Sequence, residues 1–341
     1  MEHTEHQRIA RLRDWVASVL PSPLMDLQPA SADASFRRYF RVTTADGRFV
    51  VMDAPPSHED CGPWLKIAQL FRAAGANTPQ IFAENLTDGF ILMSDLGSTT
   101  YLSALNEVAR DETMVDRLYR DANASLIRIQ LASRPGVLPP YDEALLRREL
   151  DLFPDWYVAK YLGVSLSDAQ RDRLETVFRA ILDNNLAQPQ VFVHRDWHSR
   201  NLMVTDANNP GVVDFQDAVY GPVTYDLVSI YKDAYIAWDE DRLLDWVVRY
   251  WEAAKKAGLP VHPDFGVFYR DFEWMGAQRH IKVLGIFARL CYRDGKDGYL
   301  KDMPLVMRYL RSTCERYREL KPLLGLLDAL ENRATDVGYT F

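Results

Sequence analysis

Apolar and polar residues in the first hundred positions follow a pattern that predicts a small sheet. Two pairs of apolar runs, RRYFRVTT with RFVVMDAP and IFAEN with FILMSDL, are each separated by a short segment that ends in Asp-Gly. Because Asp-Gly favours the tight turn of a β-hairpin, we predict hairpins closed at 45–47 and 86–89. Between them, WLKIAQLFRAAG has Trp64, Ile67 and Phe71 at helical spacing and ends in glycine, so it predicts a helix.

From about residue 100 the apolar residues recur at helical spacing. Three segments show this pattern: ETMVDRLYRDANASLIRIQ, DEALLRRELDLFPDWYVAKYL, and SDAQRDRLETVFRAIL, which begins at a capping Ser167. At 341 residues the chain exceeds the usual size of a single core. We therefore predict an α+β fold with a small strand-rich lobe at 1–96 and a large helical lobe at 97–341, joined by a hinge at 94–97.

Charge and cysteine content narrow the class of protein. Lys and Arg number 40 against 48 Asp and Glu, a formal net charge of −8, and no long block of like charge occurs. This balance argues against nucleic acid or an anionic membrane as the main partner. Widely spaced Cys61, Cys291 and Cys314 are typical of a reducing cytoplasm. The N-terminus lacks the apolar core of a signal peptide, and no apolar run approaches the ~18 residues of a membrane span. We expect a cytoplasmic protein with no membrane or nucleic-acid partner.

Residues 191–215, VFVHRDWHSRNLMVTDANNPGVVDF, place ionisable side chains between two apolar runs that each fit a buried strand. Burying such groups beside a core costs free energy unless something pairs with them, so a functional site is the favoured interpretation. The candidate residues of this site are His194, Arg195, Asp196, His198, Arg200, Asn201 and Asp214.

Within this stretch, LMVT and VVDF flank the turn-forming segment DANNPG, which predicts an antiparallel hairpin. We predict that Thr205 lies opposite Val212. Met203 then faces Asp214, and Asn201 is the diagonal neighbour of Asp214, roughly 7 Å away or less. A carboxylate and an amide oxygen at that separation could hold magnesium. A slip of one residue would place the two side chains on opposite faces.

The order H-R-D-x-x-x-x-N followed by D-F is the pattern that phosphoryl transfer requires. Asp196 would accept the proton of the attacking hydroxyl, while Asn201 and Asp214 would hold metal on the nucleotide phosphates. Two alternatives remain open. His194 and His198 could share a zinc ion if their segment were helical, although a strand-like run precedes it. A charged surface loop would explain the arginines but not the whole set.

The motifs HRDWHSRN and DFQD resemble those of the aminoglycoside phosphotransferase and choline kinase branch of the protein-kinase-like fold. The resemblance implies a two-lobed kinase-like fold, ATP and Mg²⁺ as cofactors, and an adenine site at Ser94, Asp95 and Leu96. Only eleven residues separate Asp214 from Asp226. This spacing leaves no room for the long segment on which protein kinases dock peptides, so a small-molecule acceptor is expected.

Further segments narrow the resemblance: SADASFRRYFRV, VVMDAPP, ILMSDLGSTTYL, LFPDWYV and AQRHIKVLGIFARLCYRDGK. They are similar to the bacterial anomeric kinases of N-acetylmuramate and N-acetylglucosamine in peptidoglycan sugar recycling. This similarity implies that ATP phosphorylates the C1 hydroxyl of an amino sugar. An aminoglycoside or choline-type kinase is the alternative within the enzyme class.

One departure from the family concerns the strand RFVVMDAPP. Met52 and Asp53 stand where most kinase-like folds have a lysine that pairs with the nucleotide phosphates. The following helix offers Lys66 where a glutamate normally meets that lysine. A charge-exchanged pair of Asp53 with Lys66 is one hypothesis. The missing lysine also supports a different class of function, a nucleotide-binding pseudokinase scaffold.

Arginines of the first hairpin offer another way to hold the phosphates. A guanidinium fork matches phosphate oxygens, so Arg37, Arg38 and Arg41 are candidates, and an ordinary solvated strand is the alternative for each. The preceding loop SADASF has no glycine, so the backbone amides of Ala34 and Ser35 would have to cover the phosphates. The candidate nucleotide contacts of this region are Ser35, Phe36 and Arg38.

The segment DFEWMGAQRHIKVLGIFARL is apolar on almost every face and predicts a buried central helix. Glu273, Arg279, His280 and Lys282 interrupt it, and a buried charge must be paired or face a cleft. Glu273, Arg279 and His280 are the candidate substrate contacts. Arg279 or His280 would meet a carboxylate such as the lactyl group of N-acetylmuramate, and internal ion pairs are the alternative. The excess of positive charge favours a neutral or acidic sugar over a polycation.

Overall fold

The computed structural model of the protein describes residues 2–32, 36–108 and 111–331. The chain divides into two units. The strand-rich unit consists of Met1–Ser125 and Arg200–Asp217, and the helical unit of Leu126–Ser199 and Ala218–Phe341. The predicted α+β class is confirmed, since an antiparallel sheet comes first and most of the remainder is helical. The lobe boundary between residues 96 and 97 stays a prediction.

Five strands form one antiparallel sheet in the order β1-β2-β3-β5-β4, while β6 pairs with β9 and β7 with β8. The bounds are β1 Asp26–Ala32, β2 Arg38–Thr44, β3 Gly47–Asp53, β4 Ile81–Asn85, β5 Phe90–Ser94, β6 Gln190–Val193, β7 Leu202–Met203, β8 Gly211–Val212 and β9 Val219–Pro222. Both Asp-Gly hairpins are confirmed, as β2–β3 and β4–β5. Strand β1 was not predicted, because its sequence DLQPASA contains proline and lacks apolar alternation. It lies at the sheet edge, where proline is tolerated.

The two faces of this sheet have different partners. On one face, Phe40 and its cross-strand neighbour Val51 are buried in a core with Leu12 and Val16 of helix α1 (Glu2–Val19). Each such apolar side chain contributes about 1.5–3 kcal/mol when fully buried. Side chains alternate along a strand, so Arg41 points to the opposite face. On that second face, Arg41 and Val50 line a cavity.

The remaining elements are mainly helical. The α-helices are α2 Cys61–Ala73, α3 Tyr101–Glu107, α4 Glu112–Leu131, α5 Glu143–Leu152, α6 Asp168–Leu186, α7 Tyr225–Tyr231, α8 Glu240–Ala257, α9 Phe265–Asp294, α10 Met303–Arg316 and α11 Lys321–Leu330. Short 3-10 helices span Asp297–Asp302 and Arg318–Leu320. The predicted caps at Ser167 and Gly75 lie at the start of α6 and just after α2. No helix among the described residues is long and apolar enough to cross a membrane.

Helix α9 is the buried centre of the helical unit, as its apolar sequence predicted. Residue 285 of α9 has to be glycine, because a Cβ there would lie 2.5 Å from the carbonyl of Leu152. Immediately after Leu152 the chain forms a π-helix, Phe153–Tyr161, where the sequence predicted a continuous α-helix. Pro154 cannot donate a backbone hydrogen bond, which disfavours α-helical bonding at this point.

Candidate active site

The short hairpin β7–β8 is antiparallel, as predicted, but its register differs. Leu202, and not Thr205, lies opposite Val212. The N–H groups that would have extended the ladder are used elsewhere, since that of Val204 donates to the carbonyl of Thr99 at 2.8 Å. The N–H of Thr205 donates to a side chain of its own turn at 3.1 Å. The paired segment is therefore only two residues long on each strand.

Asn201 and Asp214 are neighbours at the base of this hairpin, so their predicted proximity is confirmed. The Nδ2 atom of Asn201 donates to Oδ2 of Asp214 at 3.0 Å, and the N–H of Val213 donates to the carbonyl of Asn201 at 3.2 Å. Asp214 has a positive φ of 61°, which turns it out of the strand direction. The other oxygen, Oδ1, accepts from Nε2 of Gln216 at 2.8 Å.

This group of side chains fits a hard divalent cation. Asp214 supplies carboxylate oxygens, and the side-chain amide of Asn201 supplies another ligand of the preferred type. The Oε1 atom of Gln216 is buried and has no hydrogen-bond partner among the described residues. An orphaned acceptor beside a carboxylate is the kind of group that a cation or its water would satisfy. Among the described residues, no group of three His, Cys, Asp or Glu side chains could hold a metal ion, so water or phosphate oxygens would complete the coordination.

A cavity of about 390 Å³ lies within the strand-rich unit and reaches this pair. Its volume falls in the range typical of small-ligand sites. Val50 and Met93 give it an apolar wall from the open face of the sheet. The cavity is also lined by the predicted adenine contacts Ser94, Asp95 and Leu96, and by Asn201 and Asp214. Residues from two parts of the chain about a hundred positions apart therefore meet around one cavity.

Arg41 projects from β2 into this cavity and is fixed by the hinge. Its Nε donates to Oδ2 of Asp95 at 2.7 Å and its Nη2 to the carbonyl of Gly97 at 3.1 Å. Asp95 also accepts from the N–H of Gly97 at 2.9 Å, while the hydroxyl oxygen of Ser94 accepts from the N–H of Gln80 at 2.8 Å. These bonds hold the hinge at the cavity wall.

Arg38 lies on the α1 face of the sheet, away from the cavity lining. Its Nη2 donates to Oδ2 of Asp53 at 2.6 Å, and Arg8 of α1 donates to Oδ1 through Nε at 2.8 Å. Both oxygens of Asp53 thus accept hydrogen bonds from arginines, whereas one hypothesis from the sequence had paired Asp53 with Lys66. Phe36 is 62% exposed and stacks on a histidine ring. Ser35 lies outside the described residues.

In the helical unit, the loop after β6 that carries Asp196 is held by carboxylates from α7 and the residues after it. Asp226 accepts the N–H of His194 at 2.7 Å and that of Arg195 at 3.0 Å. Arg195 has a positive φ of 75°, a conformation that costs free energy and needs such support. Asp233 accepts both the N–H and the hydroxyl of Ser199, at 2.9 and 2.5 Å.

Asp196 is partly exposed and remains ionised. Burial acts to raise its pKa, but the positive charges of Lys282 and Arg279, together with the contribution of His198, outweigh burial, and the pKa falls below its usual value. The N–H of Asp196 donates to Nδ1 of His194 at 3.2 Å, so that ring acts as a structural partner of the loop. A carboxylate held ionised in this way can accept a proton.

Beside the loop, the buried Glu149 of α5 joins two cations, of which Arg195 is partly exposed and Lys282 is buried. Its Oε1 accepts from Nη2 of Arg195 at 2.7 Å and lies 2.9 Å from Nζ of Lys282 on α9. Tyr141 donates to the other oxygen, Oε2, and Lys282 donates to the hydroxyl of Tyr225 at 2.8 Å. The network connects α5, the loop and α9, and it fixes the residue that precedes Asp196.

Two of the three predicted substrate contacts have internal partners. Glu273 accepts from Nη1 of Arg316 and, at 2.6 Å, from the hydroxyl of Tyr317. The ring of His280 stacks on Tyr309 with centroids 5.3 Å apart. Burial lowers the pKa of His280 well below its usual value, so its ring is neutral. The third, Arg279, is buried as well.

Residues 26–264 match the model of a family described as "Phosphotransferase enzyme family". The chain belongs to this phosphotransferase family. Two relatives are named N-acetylmuramate/N-acetylglucosamine kinase. The one from Neisseria meningitidis is 49% identical over 98% of this chain and 100% of its own length. The one from Pseudomonas aeruginosa is 48% identical over 97% and 99%.

Solved structures of the phosphotransferase fold agree with this assignment. An AMP-bound spectinomycin phosphotransferase has a TM-score of 0.64 at 11% identity and covers 88% of this chain and 97% of its own. A choline kinase of Streptococcus pneumoniae has a TM-score of 0.58 at 10% identity and covers 91% and 99%. At these identities the likeness establishes the shared fold, which is the kinase-like fold that the motifs predicted.

Three polar residues of this phosphotransferase site were missed by the sequence-based prediction. They are Glu149, Asp226 and Asp233. A signal was present for the last two, because they interrupt the apolar segment YDLVSIYKDAY, and acidic residues are rarely buried without a partner. Glu149 lies in a charged helical segment, RREL, whose composition does not distinguish it from a solvated face.

The stability of the loop should depend on pH through Asp226. Burial raises the pKa of Asp226 from its usual 3.8 to about 7, against the opposing backbone hydrogen bonds of His194 and Arg195. Because the pKa of Asp226 is raised in the folded protein, its contribution to stability is complete below pH 3.8. That contribution is lost as the pH rises through about 7. Asp226→Asn removes this titration, so its unfolding free energy relative to wild type should rise by ~1.4 kcal/mol per pH unit between pH 5 and 7.

Urea unfolding at several pH values measures this difference. The matched control is Asp206→Asn, at an exposed carboxylate of the β7–β8 turn, which should give no such slope. A difference between Asp226→Asn and wild type that stays constant from pH 5 to 7 would contradict the assignment.

Proposed function

We propose that this phosphotransferase transfers the γ-phosphate of ATP to the anomeric C1 hydroxyl of N-acetylmuramate and N-acetylglucosamine. The observation that carries the proposal is the name shared by relatives 49% and 48% identical over nearly the whole chain. The chemistry of the Asn201–Asp214 pair supports it independently. The reaction would serve peptidoglycan sugar recycling in the cytoplasm, with which the three free cysteines are consistent.

The nucleotide would bind in the cavity of the strand-rich unit. Its apolar wall suits the adenine ring, and the backbone of Ser94, Asp95 and Leu96 would contact the base. Asn201 and Asp214 would hold Mg²⁺ on the phosphates, and Mg²⁺ would neutralise the charge that develops during transfer. Ser35, Phe36 and Arg38 stay predicted contacts, and for Arg38 the pairing with Asp53 argues against direct nucleotide binding.

Asp196 would act as the base. Its ionised carboxylate accepts the proton of the C1 hydroxyl as that oxygen bonds to the γ-phosphorus, and the bond between the γ-phosphorus and the bridging oxygen breaks to release ADP. Asp226, Asp233 and the Glu149 network would keep the loop in place without touching the sugar. Glu273 and His280 remain predicted substrate contacts, although their internal partners favour a structural role.

A coupled assay of ADP release tests the proposal directly. We expect turnover with N-acetylmuramate and N-acetylglucosamine and none above background with kanamycin or choline. Phosphorus NMR of the product should show a phosphomonoester coupled to the anomeric proton. A phosphomonoester at another carbon would contradict the C1 assignment, and turnover with kanamycin or choline alone would favour the alternative kinases. If the protein binds nucleotide but none of the four acceptors supports ADP release, the pseudokinase interpretation would be favoured.

A further inference from the structure

Arg279 differs from the other buried basic residues of helix α9 and its surroundings. Its side chain is 5% exposed, and its Nε and Nη1 atoms are buried with no hydrogen-bond partner among the described residues. By contrast, Lys282 lies 2.9 Å from Glu149, and Lys232 lies 3.5 Å from Glu273. Arg279 is thus a buried cation without a direct counter-charge in this part of the structure.

A count of the charges around Asp196 gives the same result. Glu149 and Asp196 carry two negative charges, and Arg195 and Lys282 carry two positive charges, which balance. Arg279 also acts on Asp196 and contributes to lowering its pKa. Arg279 therefore adds one positive charge to a set that is already neutral.

Asp226 does not remove this surplus. Both of its oxygens already accept backbone N–H groups, from His194 and Arg195. Burial raises the pKa of Asp226 to about 7, so near neutral pH it carries only part of a negative charge. The Nε and Nη1 atoms of Arg279 have no hydrogen bond to it.

An unpaired buried guanidinium is costly, and protein groups normally compensate such a charge. A ligand that brings an anion would supply the missing partner, and a carboxylate matches the planar donor fork of arginine. Of the two sugars of the proposed function, on which this inference rests, only N-acetylmuramate carries a carboxylate, in its lactyl group.

We propose that Arg279 binds the carboxylate of the acceptor and thereby determines how strongly the protein prefers N-acetylmuramate over N-acetylglucosamine. His280 was the alternative in the same segment, but its ring is stacked on Tyr309 and neutral. Arg279 is then a specificity-determining residue, and the C1 hydroxyl is presented to Asp196 in the same way in both sugars.

The test compares kcat/KM for the two sugars in wild type and Arg279→Gln at pH 7, where Asp196 is ionised and Asp226 carries only part of a negative charge. We expect the ratio of kcat/KM for N-acetylmuramate to that for N-acetylglucosamine to fall by about 10- to 100-fold, the loss expected for a hydrogen bond between charged groups. The loss should appear mainly in KM. Arg293→Gln, at an exposed arginine of the same helix, is the matched control and should keep the wild-type ratio.

The methyl ester of N-acetylmuramate provides a second probe, because it keeps the lactyl group and removes its charge. Wild type should use the ester less well than the acid by a similar factor, and Arg279→Gln should use the two equally. An equal loss with both sugars, or no preference of wild type for the acid over the ester, would overturn the inference. If wild type phosphorylates neither sugar, the proposed function itself is refuted.

Discussion

Replacing Asp196 with asparagine should lower kcat by ~10² or more and leave the Kd for nucleotide near the wild-type value. Asparagine keeps the size of the side chain but cannot accept the proton of an attacking hydroxyl. The cavity proposed to bind the nucleotide is lined by residues of the strand-rich unit, and Asp196 is not among them, so the affinity for nucleotide should not depend on this change. ADP release in a coupled assay measures kcat, and calorimetric titration with a non-hydrolysable ATP analogue measures Kd.

Asp172→Asn, at an exposed carboxylate of α6, is the matched control and should behave as wild type in both measurements. Near wild-type turnover of Asp196→Asn would refute the role of Asp196 as base. A comparable loss of nucleotide affinity would indicate that Asp196 contributes to binding, and the assignment would then need revision.

The strand-rich unit shows which features follow from local sequence. Both hairpins of the large sheet were predicted, because Asp-Gly turns and alternating apolar residues act over a few positions. The register of β7–β8 was not, because Val204 donates to Thr99, a residue about a hundred positions away. Asn201 and Asp214 are close together although the predicted register was wrong. The chain reverses direction before Pro210 and Gly211, so the start of β7 lies beside the end of β8.

The face of the sheet on which each arginine of β2 lies could have been read from the sequence. Phe40 and Val42 are the apolar residues of β2, so even-numbered side chains face the core and Arg38 must share their side. Arg41 has the opposite parity and lies in the cavity lining. Alternation alone therefore places Arg38 on the core face and Arg41 on the open face of the sheet.

The ionic network beside the loop that carries Asp196 could not have been predicted. Glu149 and Arg195 are 46 positions apart in the chain, and Lys282 comes from a third element, so no periodicity within one segment relates them. The three side chains come together because α5 and α9 pack closely. Gly285 permits this packing, since it allows close contact with Leu152. The sequence identified α9 as buried, but the partner of each of its charges came only from the structure.

Glu149→Gln should lower the free energy of unfolding by about 3–5 kcal/mol, the cost of breaking a buried ion pair by removing one partner. Glutamine has nearly the same shape as glutamate, so the packing of α5 is kept, but Arg195 and Lys282 lose their shared counter-charge. Urea unfolding followed by circular dichroism at pH 7 measures the effect. Glu143→Gln is the matched control, since Glu143 pairs with Arg179 at the surface, and screened surface pairs contribute little.

A second signature distinguishes the lost ion pair from a packing defect. Burial acts to raise the pKa of Glu149, but Lys282 and Arg195 outweigh burial and lower it below its usual 4.5. A lowered pKa gives stability that is present above 4.5 and lost as the pH falls through the folded-state value. The difference between wild type and Glu149→Gln should therefore shrink in acid, because protonated glutamate resembles glutamine. A difference that stays constant down to pH 3 would mean that shape, and not charge, accounts for the loss.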